Sequence, residues 1–445
     1  MVVPRPPVPT VSFVDEYCLA YQDLFPEVRS FENFKYLIIG MISEIKRKSL
    51  TGIAKVVGLK NEQSLHHFLT VSPWDVKACQ QLRLSLILER VAGKKVILII
   101  DETGDNKKGD TTDYVARQYI GNLGKVENGI VSVNAYGVVG NPLFPLIFKF
   151  FKPQATLLPE DTYKSKPQLA LEIISELEGM GLKIEQVLAD SLYRESSTFI
   201  QGLNKLHLKY VVAIRRNHKA WLNKEEVTYS DWQTFDLVFS NANEQTRYIQ
   251  EIICPGSGEV RYWKITSDFF RELKTNTWYL MTNLSGDLYS SIGNHYGFRN
   301  CIEYGFKPAK NELGWADFRV ISYQQISKWW EIVSCAFLLI SLQTNPRNNQ
   351  VTRESVSEEC QSLNCVYPQG ISHEPLKYSQ QEWWNFSGRW KSTLNNLRLI
   401  IQPYVFYNFL KPWLLIFDIP SLEAGFLELL NMMNKFGGST TLDSG

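Results

Sequence analysis

The spacing of hydrophobic residues changes along the chain. In residues 11–89, apolar side chains recur every three or four positions, as at Tyr17, Tyr21 and Phe25, which is the period of a helix. From Val96 onward, apolar residues form continuous or alternating runs, which are typical of strands. The pattern predicts a helical N-terminal region followed by an α/β core, and the helical spacing returns towards the C-terminal end.

The α/β part has a definite order of elements. The predicted elements are strands at 96–101, 130–139 and 143–151, a helix at 168–180, a strand at 187–190, a helix at 196–206 and a strand at 210–214. Three strands followed by alternating helices and strands, with a late helix, is the order of the ribonuclease H-like fold, so we expect a core of that class. Residues 220–276 exceed the connection that such a fold needs. Their short alternating segments predict a β-rich insertion.

Two of these predicted strands end in an aspartate. Apolar runs lead into Asp101 and, further along, into Asp190. A single acid at a strand end is commonly a helix N-cap and indicates little. Two such acids followed by a glutamate on a helix, Glu303, form the layout of a carboxylate cluster for two divalent metal ions, which prefer oxygen ligands.

Glu303 lies in a stretch predicted to be one helix. Positions three, four and seven apart share a helical face, and here they are Tyr296, Arg299, Glu303 and Lys310. Pro308 is expected to end or kink the helix. By itself, this stripe is better explained by a solvated face with an Arg299–Glu303 ion pair, and the two aspartates are what favour a functional interpretation.

The late helix and the second acid resemble a known family. The helix fits the Tyr-x2-Arg-x3-Glu-x6-Lys signature of DDE transposases of the IS4 superfamily at all four positions and every gap. The sequence Asp190-x-x-Tyr193 resembles the second-aspartate motif of that group. It departs at Ser191-Leu192, where the group often has small residues.

The sequence around Asp101 shows a second resemblance to known proteins. The run Asp101–Gly109, together with Val115–Tyr119 and Gly121–Lys125, is similar to the IS701 family. The resemblance extends over most of the chain from about Val96 to Ile340.

The resemblance implies an insertion-sequence transposase that cuts the DNA ends of its element and joins them to target DNA. It implies that Asp101, Asp190 and Glu303 are catalytic and hold two Mg²⁺ ions, for which Mn²⁺ can substitute. Arg299, with Tyr296 and Lys310, would hold DNA phosphates. In relatives that form a hairpin on the element end, a Trp at the position resembling Trp278 stacks on a flipped base; the alternative is a buried core Trp.

Other residues near the acids are together predicted to contact DNA, although for each one alone a solvated position is the better interpretation. They are Lys107, Lys108, Arg117, Tyr193, Arg215, Arg216, His218 and Lys219. Asp105, Asp110 and Asp113 compete with Asp101 as metal ligands but lie in an expected polar loop. Glu102 is expected to face away from Asp101, because strand side chains alternate.

Composition limits the remaining functions. The 445 residues carry 47 basic and 46 acidic side chains, so any DNA surface has to be a local stripe. Seven cysteines without a CxxC pair argue for a reducing interior and against a disulfide framework or structural zinc. The resemblance implies a cytoplasmic location in a prokaryotic cell, near the nucleoid. No apolar run is long enough for a membrane span. DNA is the expected partner, and a homodimer is expected on the element ends.

The expected domains are a helical, DNA-binding N-terminal domain (1–92), the core in two parts (93–219 and 277–345), the β-rich insertion (220–276) and a linker with a helical C-terminal region (346–445). Within the first of these domains, residues 52–69 resemble a helix-turn-helix.

Two other functions stay open: a plain metal-dependent nuclease on the same fold, and a domesticated DNA-binding protein that has lost its catalytic activity.

Overall fold

The computed structural model describes residues 5–140, 142–194, 196–216, 226–238, 244–255, 258–268, 276–297, 300–344 and 377–436. Its chain forms two compact units. The first comprises residues 1–87, 140–142 and 308–445, and the second comprises residues 88–139 and 143–307.

The first unit is helical where it is described. Its N-terminal helices are α1 (Ser12–Leu19), α2 (Val28–Ile42), α3 (Leu50–Val56), α4 (Gln63–Thr70) and α5 (Val76–Val91), the last of which continues into the second unit. Helix α2 is buried over almost its whole length, which identifies it as the centre of this unit's core.

Helices α3 and α4 form in the stretch that resembles a helix-turn-helix. Residues 57–62 connect them, which is longer than the turn of about 3–4 residues in the compact motif. Gly58, at φ +72°, makes the left-handed turn that ends α3. Leu65 and Phe68 face the core, whereas both His66 and His67 are exposed.

The second unit contains a mixed sheet of eleven strands. The core strands are β1 (Val96–Asn106), β2 (Ala116–Ile120), β3 (Lys125–Val138), β4 (Leu143–Phe151), β5 (Ile184–Ala189) and β6 (Tyr210–Ile214). The later strands are β7 (Thr228–Tyr229), β8 (Gln233–Val238), β9 (Glu244–Ile253), β10 (Arg261–Thr266) and β11 (Thr277–Thr282). They run in the order β2-β3-β1-β5-β6-β11-β10-β9-β7, with β4 beside β3 and β8 beside β9.

This sheet contains both antiparallel and parallel strand pairs. β1 pairs antiparallel with β3, whereas β5 and β6 lie parallel to β1 on its other side. β11 pairs antiparallel with β6, so the strands between β6 and β11 extend the same sheet rather than forming a separate one.

Helices of the second unit follow the strands. They are α6 (Lys166–Gly179), α7 (Ser191–Arg194), α8 (Ser197–Lys205), α9 (Ile292–Gly297) and α10 (Asn300–Asn311), whose last residues belong to the first unit. The first unit then continues with α11 (Tyr323–Leu342), α12 (Trp390–Phe417) and α13 (Pro420–Phe436).

One expectation about these elements is wrong. β1 does not end at Asp101 but continues to Asn106, because β3 pairs with it residue by residue along that length. The predicted single helix 296–310 is described as α9, up to Gly297, and α10, from Asn300, and residues 298–299 between them lie outside the described residues. Pro308 lies inside α10 without ending it.

Candidate metal centre

The strand register brings the two predicted aspartates level with each other. The parallel pairing of β1 with β5 includes Ile99 opposite Leu188. Two positions beyond each of these residues come Asp101 and Asp190. Because both strands run in the same direction, the two acids lie side by side at the carboxyl edge of β5.

Three carboxylates meet at this edge. Oxygen atoms of Asp101, Glu102 and Asp190 all lie within 4.8 Å of one another. The expectation that Glu102 faces away is therefore wrong. Beyond Ile99, β1 has no β5 partner, so acids from both of its faces reach the open edge.

Local hydrogen bonds hold the two aspartates. Asp101 Oδ1 accepts the backbone N–H of Glu102 at 2.8 Å. Asp190 Oδ1 accepts the N–H of Leu192 at 2.9 Å, in the manner of an N-cap on α7. The cap and metal-ligand interpretations are thus compatible, since a carboxylate has a second oxygen.

The environment of Glu102 favours a bound cation. Burial, and then the nearby Asp190, raise the pKa of Glu102, while Lys166 opposes this at 3.1 Å from Glu102 Oε1. Glu102 Oε2 is buried and lacks a well-formed hydrogen bond among the described residues, although the Tyr193 hydroxyl lies close to the Glu102 carboxylate. A buried carboxylate oxygen without a partner is costly, and a hard divalent cation would satisfy it, so this donor set fits such an ion.

Tyr193 is buried next to the acids. It is fully buried, and burial together with the charges of Glu102, Asp101 and Asp190 raises the pKa of its hydroxyl well above the usual value. The side chain is therefore not accessible in this structure for the DNA contact that the sequence predicts.

Helix α10, which carries Glu303, packs against the same strands. Phe306 meets Tyr136 of β3 edge-on, with ring centroids 5.5 Å apart, and Tyr136 lies opposite Ile99 of β1. Gly305 permits this approach, because a Cβ there would stand 2.8 Å from the Tyr136 ring. Glu303 precedes Phe306 by three positions, but its side chain is outside the described part of the structure.

The other residues of the helical signature are placed only in part. Tyr296 lies in α9, which is tied to β5 by a 2.9 Å hydrogen bond between His295 and Gln186. Lys310 lies in the last turn of α10. Arg299 is outside the described residues, so the shared face of the four stays a prediction.

Two predicted cations lie at the same edge as the acids. In the parallel register, Ala189 of β5 is opposite Val212 of β6, and Arg215 and Arg216 follow β6 with exposed side chains. His218 and Lys219 lie outside the described residues.

The other predicted cations are further away than the sequence suggested. Lys107 and Lys108 follow the end of β1, about 20 Å from Asp101 at roughly 3.3 Å per residue. Arg117 lies on the neighbouring β2, opposite Asn128 of β3.

Comparison with known proteins identifies the family. The chain is 51% identical over 348 residues to the probable transposase for insertion sequence element IS701 of Microchaete diplosiphon, covering 78% of this chain and 92% of that protein. Residues 22–234 match the family described as DDE superfamily endonuclease, and residues 158–339 match the transposase DDE domain. The chain belongs to the DDE transposases.

This family implies a ribonuclease H-like core, the use of divalent metal ions and binding to DNA. The mixed sheet and the acidic cluster described above agree with the first two. None of the transposase helices in the described residues is both long and apolar enough to cross a membrane.

The tryptophan predicted to act on DNA lies beside the acidic edge of the transposase. In the antiparallel pairing of β11 with β6, Tyr279 is opposite Ile214, so the preceding Trp278 is level with Arg215. Trp278 is 41% exposed, and the Arg247 guanidinium lies 5.4 Å from its ring centroid. It is therefore not the fully buried core residue of the alternative interpretation.

The sequence analysis rejected Glu102 and did not identify two other residues of this region, Lys166 and Arg247. A signal for Lys166 was present, because Ser165 and Gln168 form a capping box that marks the start of α6. Nothing in the local sequence indicated that Arg247 would lie over Trp278, since the two are on strands separated by β10.

Proposed function

We propose that this transposase cuts the DNA ends of an insertion sequence and joins them to a target by metal-dependent phosphoryl transfer. The supporting observation is the level placement of Asp101 and Asp190 on neighbouring strands. The 51% identity to the IS701 protein gives this acidic edge its chemical context.

The residues proposed to hold two Mg²⁺ or Mn²⁺ ions are Asp101, Asp190 and Glu303. Such ions stabilise charge on the attacking and leaving oxygens of phosphoryl transfer. Glu102 is within reach of the same position and is held by Lys166. In this proposal, Lys166 orients the Glu102 carboxylate and reduces the mutual repulsion of the acids.

DNA phosphates would be bound on both sides of the acids. Arg299, Tyr296 and Lys310 are proposed to grip the strand being cut, with Arg215, Arg216, His218 and Lys219 along the adjoining strand end. The distance of about 20 Å from Asp101 to Lys107 and Lys108 corresponds to about six base pairs. These two cations, together with Arg117 on β2, would contact the duplex away from the cut. Binding would then depend on many phosphate contacts and weaken with salt.

The proposal also includes a DNA hairpin that forms at the element end as an intermediate. Sealing a duplex end requires a sharp bend, which an unstacked base relieves. Trp278 offers an exposed ring for that base, and stacking on an aromatic ring contributes about 1–3 kcal/mol. Arg247, packed on the ring, would fix the indole and add positive charge.

The proposed domain layout keeps the N-terminal helices as a DNA-binding domain and residues 220–276 as an insertion in the core. Two copies are proposed to act together on the two element ends.

The test incubates the protein with Mg²⁺ and DNA carrying candidate element ends, and follows nicking, hairpin formation and strand joining on gels. Asp101→Asn, Asp190→Asn and Glu303→Gln should each abolish cutting but keep DNA binding in a mobility-shift assay, because binding rests on the phosphate contacts. Asp110→Asn, which changes an exposed acid in the loop after β1, is the matched control and should cut normally.

The other possible results of this test would each support a different function or a different metal ligand. Cutting that survives one substitution would mean that another carboxylate, such as Glu102, is the ligand at that position. Cutting without joining would identify a plain nuclease. Binding without cutting by the unmodified chain would identify a catalytically silent DNA-binding protein.

A further inference from the structure

Strand β2 and the first residues of β3 form a two-stranded ribbon at the edge of the sheet. Its register pairs Arg117 with Asn128, and Tyr119 with Val126. Because side chains alternate along each strand, these four lie on one face of the ribbon. All four are exposed, Tyr119 by 57% and Val126 by 48%. The ribbon therefore presents a guanidinium, an amide, an aromatic ring and an aliphatic group side by side.

The opposite face of the ribbon is fixed to the sheet. Ile120 is fully buried and fills the space that two glycines leave. A Cβ at Gly104 of β1 would stand 3.0 Å from Ile120 Cδ1, and one at Gly129 of β3 would stand 2.9 Å from it. Gln118 Nε2 donates to the carbonyl of Gly129 at 2.9 Å. The exposed face is therefore held in a set position, which lowers the entropy lost when it binds a partner.

The ribbon lies close to the acidic edge. Gly104, which Ile120 contacts, comes three positions after Asp101, and Arg117 comes three positions before Ile120. At roughly 3.3 Å per residue, each interval is about 10 Å, so Arg117 is within about 20 Å of Asp101. A base pair occupies about 3.4 Å of a duplex, so DNA held at the acids would pass the ribbon within about six base pairs of the cut.

The charges of the ribbon suit DNA but are too few to hold it by its phosphates alone. Residues 116–128 contain two cations, Arg117 and Lys125, and one acid, Glu127, which pairs with Lys125 at 2.9 Å. The preceding loop, residues 107–115, adds two lysines and two aspartates. Sequence-independent affinity grows with the number of neutralised phosphates, so this ribbon would add little of it.

The exposed side chains instead match the edges of bases. The major groove of DNA is wide enough for a two-stranded β-ribbon. Arginine donates to O6 and N7 of guanine, an asparagine amide donates to N7 and accepts from N6 of adenine, and apolar groups contact the methyl group of thymine. The exposed face of the ribbon carries each of these three kinds of group.

We propose that the ribbon enters the major groove beside the cut and reads the sequence of the element end. Arg117 contacts a guanine and Asn128 an adenine, while Tyr119 and Val126 pack on thymine methyl groups. This role rests on the proposed function, since it assigns residues that would make cutting specific to the element's own ends.

The test measures the affinity of the full chain for a duplex of the element end that flanks its gene, by competition in a mobility-shift assay. A set of competitor duplexes, each with one base pair exchanged, locates the base pairs that are read. Exchange of a contacted pair should weaken binding of the unmodified protein roughly 5- to 150-fold. The assay contains no divalent metal, so cutting does not enter the result.

Arg117→Lys is the decisive variant, because lysine keeps the positive charge but lacks the planar fork that bonds guanine twice. It should abolish discrimination at one G·C pair within about six base pairs of the cut and keep the discrimination at other pairs. Asn128→Ala should do the same at one A·T pair. Both side chains are exposed, so the melting temperature should not change.

Arg319→Ala, which removes an exposed arginine outside the ribbon, is the matched control and should keep all discrimination. Full discrimination in Arg117→Lys and Asn128→Ala would overturn the proposal and exclude base reading by this face. Equal weakening of all duplexes by Arg117→Ala, with a salt slope lower by about one, would also overturn it and identify a phosphate contact. An unmodified chain that prefers none of the duplexes would overturn the proposed function as well, so the two failures are distinguishable.

Discussion

At the scale of single residues, Trp278 combines an exposed indole with a neighbouring cation at the edge of the acidic cluster. Trp278→Ala should leave first-strand nicking intact and sharply reduce the hairpin product, because only the hairpin step needs the base unstacked. DNA lacking the flipped base should partly restore the product. The measurement compares both products by gel, together with the melting temperature.

The neighbouring strand offers the control. Trp263 on β10 is fully buried, so Trp263→Ala should lower the melting temperature by several degrees, whereas Trp278→Ala should leave it nearly unchanged. If Trp278→Ala reduces nicking and hairpin formation equally and also lowers the melting temperature, then Trp278 is structural.

We expect Lys48 to make the stability of the protein depend on pH. Lys48 is 2% exposed, and burial, followed by the charge of Arg398, lowers the pKa of its amine to about 7. The unfolded chain has the ordinary pKa of 10.5 and binds this proton more readily, so stability should rise with pH between about 7 and 10.5.

Lys48→Met should remove this rise, because methionine does not titrate. Thermal unfolding at pH 7 and pH 9 measures the difference, with the exposed Lys55→Met as the control. Equal pH slopes for the unmodified chain and Lys48→Met would show that Lys48 is not the titrating group.

At the scale of elements, the position of α10 depends on a glycine. A Cβ at Gly305 would stand 2.8 Å from the Tyr136 ring, so Gly305→Ala should push α10 away from β3 at a cost of about 1–3 kcal/mol. Since Glu303 lies in the same helix, cutting should fall more than DNA binding does.

Gly179→Ala is the matched helical control, because a Cβ at Gly179 meets nothing within 4 Å. It should retain full cutting. Combining Gly305→Ala with Tyr136→Leu should restore part of the lost activity; full activity in Gly305→Ala alone would mean that this contact does not position the helix.

At the scale of the whole molecule, the helical unit contains a buried ion pair that joins α5 to α11. Arg83 Nε on α5 lies 2.5 Å from Glu331 Oε1 on α11, and both side chains are fully buried. Removing one partner leaves an unpaired buried charge, so Arg83→Met should destabilise this unit by about 3–5 kcal/mol.

Replacing both partners avoids that charge, so Arg83→Met with Glu331→Leu should recover most of the lost stability. Urea unfolding of the four proteins in a double-mutant cycle gives the coupling. Additive losses would contradict the prediction and would mean that the two side chains act independently.

The sequence alone determined what depends on neighbouring positions in the chain. Apolar runs identified the strand carrying Asp101 and the strand preceding Asp190, and helical spacing predicted α6 and α8 to within a few residues. The motif residues indicated the family without any structure, because the spacing of a signature is a property of the chain itself.

Only the tertiary structure decided what depends on neighbours distant in sequence. β1 extends past Asp101 because β3 pairs with it, and Glu102 joins the acids because β5 ends there. The strands up to β11 extend the main sheet through hydrogen bonds to β6. The same holds for the end of α12. Its sequence is apolar, yet Leu415 is 80% exposed among the described residues, because side-chain exposure depends on which other elements pack against the helix.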